Sequence, residues 1–123
     1  MMKPRFDGQP QVEAYGDFGF RLAGQRFEGS ILLTPRGLYP WTVESAGEAD
    51  AASFAPLIEC AAEVDFLIVG CGKGFARFSK SLSLYLADSR ITPDYMDTGA
   101  ACRTYNVLRA EDRRVAAALI AVA

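Results

Sequence analysis

The order of apolar and polar residues predicts a strand-rich first half of the chain. Phe18, Phe20 and Leu22 alternate with Gly19 and Arg21, the period of two that is typical of a half-buried strand. Three more apolar segments, each bounded by turn residues, predict strands over residues 25–27, 30–34 and 38–43. The last segment contains a proline, which suits a strand at the edge of a sheet.

The second half changes to alternating helices and strands. Phe54, Leu57, Ile58 and Ala61 recur at the spacing of one helix face, so they predict a first helix. The almost wholly apolar segment 64–69 follows, and this pattern is typical of a central strand that is covered on both faces. A second helix and a strand over residues 91–96 come next.

Two further helices are predicted at the end of the chain. The third is marked by Ala101, Tyr105 and Leu108, and a break near Ala110–Glu111 separates it from the fourth. The spacing that predicts the fourth helix is that of Val115, Ala118, Leu119 and Val122.

These elements define one α/β domain over residues 12–123, preceded by a flexible N-terminal arm over residues 1–11. Its order is an antiparallel β-meander followed by α-β-α-β-α-α, with a mixed sheet and helices packed against it. The spacing of strands 64–69 and 91–96 fits a right-handed β-α-β crossover, so we expect them to be parallel neighbours.

Composition excludes several classes of function. The 123 residues include no histidine, which removes the commonest general base and the commonest metal ligand. The three cysteines are widely spaced and form no C-x-x-C pair, so neither a zinc site nor a disulfide framework is expected. With a net charge of -2 and dispersed cations, nucleic acid is not an expected partner. No cofactor or metal is predicted.

The same evidence favours a cytoplasmic protein. No apolar run approaches the ~20 residues that span a bilayer, and no apolar signal core follows the basic start of the chain. Reduced thiols also fit the cytoplasm.

Candidate chemistry is concentrated after the two predicted parallel strands. Ligands of open α/β sheets bind where strands end and helices begin, so these two polar runs predict a ligand site. The candidate residues are Gly70, Gly72, Lys73, Asp97, Thr98, Cys102, Arg103 and Asn106.

Each candidate also has a structural interpretation. The glycine run 70–74 matches neither a P-loop nor a dinucleotide fingerprint, so it is a small-anion cradle or simply a tight turn. Asp97 or Thr98 caps the third helix. Cys102 is a nucleophile near a helix start or, more in keeping with a chain that lacks histidine, a buried cysteine. Asn106 faces the sheet mouth or holds a loop in shape.

A second kind of candidate is a partner-binding surface. Tyr39 and Trp41 flank Pro40 in the predicted edge strand. Aromatic residues at this position either cover the core or form an exposed patch that anchors a protein partner.

The C-terminal motif resembles that of a known family. The run from Met96 to Leu108, with Arg113-x-Val115-Ala116-Ala117-Ala118-Leu119 after it, is similar to the small single-domain family that contains mitochondrial respiratory complex I assembly factor 3 and an adipogenesis-associated human relative. Gly70-x-Gly72 and a weaker motif over residues 20–30 are also similar to this family. The resemblance implies a three-layer α/β domain with no established activity or cofactor, whose mitochondrial members act through protein contacts. Since no transit peptide is visible, the chain looks like a bacterial member.

Two functional hypotheses follow. The preferred one is a non-enzymatic protein-interaction or assembly factor of unknown oligomeric state, which predicts an exposed apolar patch and a protein partner. The alternative is a binder of small anionic ligands, or an unrecognised enzyme, at the ends of strands 64–69 and 91–96. That alternative requires a pocket in which the candidate side chains converge.

Overall fold

The computed structural model describes residues 3–5 and 8–123. Within them the strands are β1 (Val12–Gly16), β2 (Gly19–Leu22), β3 (Gln25–Glu28), β4 (Ile31–Thr34), β5 (Gly37–Pro40), β6 (Phe66–Gly70), β7 (Pro93–Met96) and β8 (Val115–Leu119). The α-helices are α1 (Ala55–Ile58), α2 (Lys80–Asp88) and α3 (Thr98–Ala110). Short 3-10 helices cover Ala46–Glu48, Ala51–Phe54 and Ala61–Glu63.

The strands form two sheets. Strands β1, β2 and β3 make an antiparallel sheet of their own, and the other five form a mixed sheet in the order β5-β4-β8-β6-β7. The predicted meander therefore divides after β3, at Gly29, whose φ of +81° lies in the left-handed region that glycine adopts readily. The mixed α/β architecture agrees with the prediction.

The predicted β-α-β unit is confirmed. Strands β6 and β7 are parallel neighbours, with Leu67 opposite Pro93 and Gly70 opposite Met96. Strand β7 lies at the edge of the sheet, where the proline that begins it costs no ladder hydrogen bond.

The predicted fourth helix is wrong, because Val115–Leu119 is strand β8 in the middle of the five-stranded sheet. It pairs parallel to β6 on one side and antiparallel to β4 on the other. All five of its residues are buried, and a fully buried strand has no alternation that would distinguish it from a helix. The break that the sequence predicts near Ala110 is present, since α3 ends there.

Two apolar layers cover the five-stranded sheet, which gives three layers in all. On one face, Phe54, Leu57, Leu82 and Leu86 from α1, α2 and the preceding 3-10 helix pack against the sheet. On the other face lie α3 and the three-stranded sheet, whose buried side chains include Phe20, Leu22, Phe27, Ala101 and Tyr105.

The first predicted helix is present in shorter pieces. The segment 51–63 forms a 3-10 helix, the single turn of α1 and a second 3-10 helix. Its predicted apolar face is nevertheless used as expected, because Phe54 and Leu57 are fully buried. The Asp50 side chain caps the first piece by accepting a hydrogen bond from the Ser53 backbone N–H at 3.0 Å.

The described end of the predicted N-terminal arm is held against the domain. Gln9 donates from Nε2 to the carbonyl of Val115 at 2.6 Å, and the Pro10 carbonyl accepts the Tyr105 hydroxyl at 2.8 Å. Nearer the start, the backbone N–H of Arg5 donates to the carbonyl of Leu38 in β5. The rest of this segment, residues 1, 2, 6 and 7, lies outside the described residues.

Candidate functional site

The two polar runs meet at the edge of the sheet where β6, β7 and β8 end, which we call the carboxyl edge. Beyond the strands, the N–H of Cys71 donates to the carbonyl of Met96 at 2.8 Å. The N–H of Thr98 donates to the carbonyl of Gly72 at 2.9 Å. The glycine run and the start of α3 therefore form one structural unit, as the parallel pairing predicts.

Thr98 closes the space between the strand ends. Its hydroxyl accepts a hydrogen bond from the N–H of Gly72 at 3.0 Å and donates to the carbonyl of Ile120 at 2.7 Å. The residue is fully buried. This hydroxyl thus uses its donor and its acceptor to join chain segments at the carboxyl edge, and not to bind a ligand.

The two leading glycines serve packing and turning. A Cβ on Gly70 would lie 3.0 Å from Cα of Thr98 and 3.2 Å from Cβ of Ala101, so glycine allows α3 to lie directly on β6. Gly72 has a φ of +88°, as a tight turn requires. These observations favour the turn interpretation of the run over the anion cradle.

Asp97 is the N-cap of α3. Its carboxylate accepts a hydrogen bond from the N–H of Ala100 at 2.8 Å. The N-terminus of a helix attracts anions, but here the chain's own carboxylate already occupies that position. A small anion bound there would meet a like charge, which again disfavours the anion-binding alternative.

Cys102 faces the core between α3 and the sheet. It is only 3 % exposed, and this burial raises the pKa of its thiol to about 12. Arg103 lowers that pKa, but by less than burial raises it. A buried neutral thiol is a poor nucleophile, so the geometry favours the structural interpretation of Cys102.

This assignment predicts slow thiol chemistry in the folded protein. Cys60, Cys71 and Cys102 are all buried, and desolvation raises the pKa of each. At mildly alkaline pH we expect iodoacetamide to leave Cys102 unmodified in the native state and to alkylate it fully in denaturant. Peptide mass spectrometry measures both. Rapid native alkylation of Cys102 would contradict the assignment.

The raised pKa also sets a direction for stability against pH. From pH 9.0 to about 12 the unfolded chain releases the Cys102 proton while the folded chain keeps it. The unfolded state then binds fewer protons, so stability falls as the pH rises through this range. We expect the variant Cys102→Ala to lose part of that slope, as measured by denaturant unfolding at several pH values.

The two candidate cations remain at the surface. Lys73 and Arg103 are exposed, and within the part of the chain that the structure describes neither forms a hydrogen bond or an ion pair. Lys73 lines a shallow concavity of about 260 Å³ together with Tyr15, Asp97 and Gly99. Arg103 does not line it, so the two cations do not converge on one enclosed pocket.

Asn106 points away from the carboxyl edge and binds the small sheet. Its Oδ1 accepts the N–H of Val12 at 2.8 Å, and its Nδ2 donates to the Val12 carbonyl at 2.9 Å. Both hydrogen-bonding groups of one backbone residue in β1 are therefore satisfied by one carboxamide. This is the second of the two roles considered for Asn106, that of holding a loop or strand in place.

Tyr39 and Trp41 cover the core, so of their two alternatives the exposed patch is wrong. They are 5 % and 3 % exposed. The indole of Trp41 makes edge-on contacts with Phe54 and Phe78, and its Nε1 donates to Ser53 at 3.1 Å. These partners come from later segments of the chain, which is why the local pattern around Pro40 left both alternatives open.

Phe18 is an exposed aromatic residue near the carboxyl edge, and the alternating pattern predicts it in a strand. Phe18 is 61 % exposed and occupies the two-residue turn between β1 and β2 with Asp17. Both turn residues have positive φ, 51° and 59°, as a type I′ turn requires, and glycine is the usual second residue of that turn. A bulky side chain at this position is strained. The sequence signal that could have identified Phe18 was its position two residues after Gly16.

The turn is held across the carboxyl edge by the backbone. The N–H of Phe18 donates to the carbonyl of Val122, and its carbonyl accepts the N–H of Gly29, both at 2.8 Å. Phe18 therefore forms the rim of a groove of about 680 Å³, whose other wall includes Pro40, Trp41 and Val43. The charged residues that line this groove are Glu28 and Glu44.

Among the described residues, no group of histidine, cysteine and carboxylate side chains could hold a metal ion. None of the helices in that part of the chain is both long and apolar enough to cross a membrane.

The protein is thus a three-layer α/β domain. Several of the polar candidate residues form hydrogen bonds that hold its helices, strands and turns together. The chain belongs to the family described as protein of unknown function (DUF498/DUF598), whose sequence profile matches residues 12–120.

Relatives of this chain include bacterial and mitochondrial proteins. An uncharacterised protein of Rhodobacter capsulatus is 36 % identical, over 96 % of this chain and 90 % of its own length. The NADH dehydrogenase [ubiquinone] 1 alpha subcomplex assembly factor 3 of Xenopus tropicalis is 28 % identical over 89 % of this chain, which spans 60 % of that protein. The family resemblance seen in the sequence is thus confirmed.

Solved structures share the fold. A crystal structure described as an outer membrane protein from Bartonella henselae superimposes with a TM-score of 0.91 at 38 % identity, covering 97 % of this chain and all of that one. The Rpa2829 protein of Rhodopseudomonas palustris, solved by NMR, gives a TM-score of 0.81 at 38 % identity, with 99 % and 90 % covered.

Proposed function

We propose that this protein is a non-enzymatic assembly factor of the bacterial cytoplasm that promotes formation of a respiratory NADH dehydrogenase. The observation that carries the proposal is the match of nearly the whole domain to assembly factor 3 proteins. The candidate ligand-binding residues support it, because Thr98, Asp97 and Asn106 are used in structural hydrogen bonds and the Cys102 thiol is buried.

We further propose that the groove beside Phe18 binds the protein partner. Exposed aromatic side chains are frequent energetic centres of protein interfaces. Phe18 occupies a turn position that favours glycine, and strained residues persist mainly where function retains them. Since the groove is apolar and its charged residues are acidic, it suits a partner segment that carries apolar and basic side chains.

The test is gene deletion and complementation in the source organism. We expect deletion to lower the amount of assembled NADH dehydrogenase several-fold on native gels, and the unmodified gene to restore it. The variant Phe18→Gly should fail to restore it although its folding is intact, because glycine suits the positive φ. Its thermal unfolding should occur no lower than that of the parent.

The matched control is Val107→Ser, which removes an apolar side chain that is 56 % exposed on α3. This variant should restore assembly fully. Normal levels of the complex after deletion would overturn the assembly role. Full complementation by Phe18→Gly would overturn the partner surface and leave the assembly role standing.

A further inference from the structure

A second set of exposed apolar side chains lies on α2 and the loop that precedes it. Phe75 is 68 % exposed, Leu84 is 59 % exposed and Tyr85 is 40 % exposed. Phe75 stands in the loop between Gly74 and Ala76, and the other two are on α2. Three large apolar side chains are therefore exposed within 11 consecutive positions.

This segment is cationic in an acidic protein. From Phe66 to Ala87 the sequence contains no aspartate or glutamate, and it carries Lys73, Arg77 and Lys80. The whole chain has 15 acidic and 13 basic residues, so the remainder is more acidic than the average suggests. Positive charge and exposed apolar groups therefore coincide on one segment.

The geometry displays these side chains outward. On α2, Leu82 and Leu86 are buried, and Leu84 lies on the opposite side of the helix, one turn from Lys80. The guanidinium of Arg77 lies 5.4 Å from the ring centre of Phe75 and 5.5 Å from that of Tyr95. This cation–π contact links the exposed loop to β7.

We propose that residues 73–85 dock on a lipid bilayer that carries anionic headgroups. Phe75 and Leu84 enter the interface between headgroups, while Lys73, Arg77 and Lys80 contact the phosphates. This mixture of basic and apolar side chains is what interfacial membrane segments use. The inference rests on neither the assembly role nor the Phe18 groove.

A bilayer suits this surface better than an acidic protein does. The neighbouring concavity of about 280 Å³ is lined by Arg77, Ser83 and Tyr95, whereas Phe75, Leu84 and Tyr85 lie outside it. These exposed apolar side chains therefore do not line that concavity. A fluid interface accommodates single projecting groups, whereas a protein partner needs a matching pocket for each.

The first experiment is flotation of the full chain with lipid vesicles. We expect binding to vesicles that contain phosphatidylglycerol, little binding to pure phosphatidylcholine, and loss of binding at high salt. The double variant Arg77→Gln with Lys80→Gln should bind roughly 30-fold more weakly, from about 1 kcal/mol for each cation near an anionic surface. Phe75→Ser should weaken binding roughly tenfold. Val107→Ser should bind like the parent.

The second experiment reports on depth. Phe75→Trp adds a fluorophore that brominated lipids should quench, while the native Trp41 is buried and should be unaffected. Val107→Trp serves as the control, and its added tryptophan should not be quenched. Absence of vesicle binding, equal binding to neutral vesicles, or equal quenching at positions 75 and 107 would each overturn the proposal. Loss of a protein partner by the double variant without any vesicle binding would assign the surface to an acidic protein instead.

Discussion

Replacing Tyr105 by alanine is expected to lower the free energy of unfolding by about 3–5 kcal/mol, the cost of removing a large aromatic side chain from a core. Tyr105 is fully buried on α3, among side chains from both sheets. Its hydroxyl also donates to the carbonyl of Pro10 at 2.8 Å. The cavity would open where α3, the small sheet and the N-terminal segment meet. Denaturant unfolding followed by circular dichroism measures the change.

Tyr105→Phe is the matched control, because it removes only the hydroxyl. We expect it to cost about 1 kcal/mol, the usual value for one hydrogen bond. Hydrogen exchange should then increase at residues 9–11 and change little in the five-stranded sheet. Equal losses from the two variants would mean that the hydrogen bond to Pro10, and not the packing of the ring, supplies the stability.

Replacing Gly70 by alanine is expected to cost about 1–3 kcal/mol, the range for overpacking a close contact. The added Cβ would lie 3.0 Å from Cα of Thr98, and backbone cannot move aside as a flexible side chain can. The start of α3 must shift, and with it the hydroxyl that joins Gly72 to Ile120. Thermal unfolding measures the loss of stability.

Gly74→Ala is the control, because the added Cβ would meet nothing within 4 Å and the backbone at Gly74 does not have a positive φ. It should be close to neutral in stability. The pair also separates packing from ligand binding. A destabilised Gly70→Ala with no response of the parent to added phosphate supports the packing role, whereas stabilisation of the parent by millimolar phosphate would revive the anion site.

The two proposed surfaces adjoin through Lys73. Lys73 lines a concavity of about 340 Å³ beside Phe18, and it also begins the cationic segment 73–85. A protein partner in the Phe18 groove would then lie next to the bilayer surface.

The local sequence pattern was sufficient to predict those parts of the domain in which residues interact with near neighbours in sequence. The apolar segment before Gly70 and the crossover length predicted the parallel pair β6 and β7. Asp97 was one of two neighbouring residues predicted as the cap of α3, and a cap acts on its own helix, three residues away. The edge position of the strand that contains Pro40 followed from the N–H that proline lacks.

Contacts between distant segments decided the rest. Val115, Ala118 and Leu119 have the spacing of a helix face, and only the pairing of β8 with β4 and β6 makes this segment a strand. Trp41 is buried because Phe54 and Phe78 pack against it. The Thr98 hydroxyl is used in hydrogen bonds because Gly72 and Ile120 lie next to it in the fold. Such outcomes depend on which surfaces the fold brings together, and hydrophobic spacing along a chain carries no record of that.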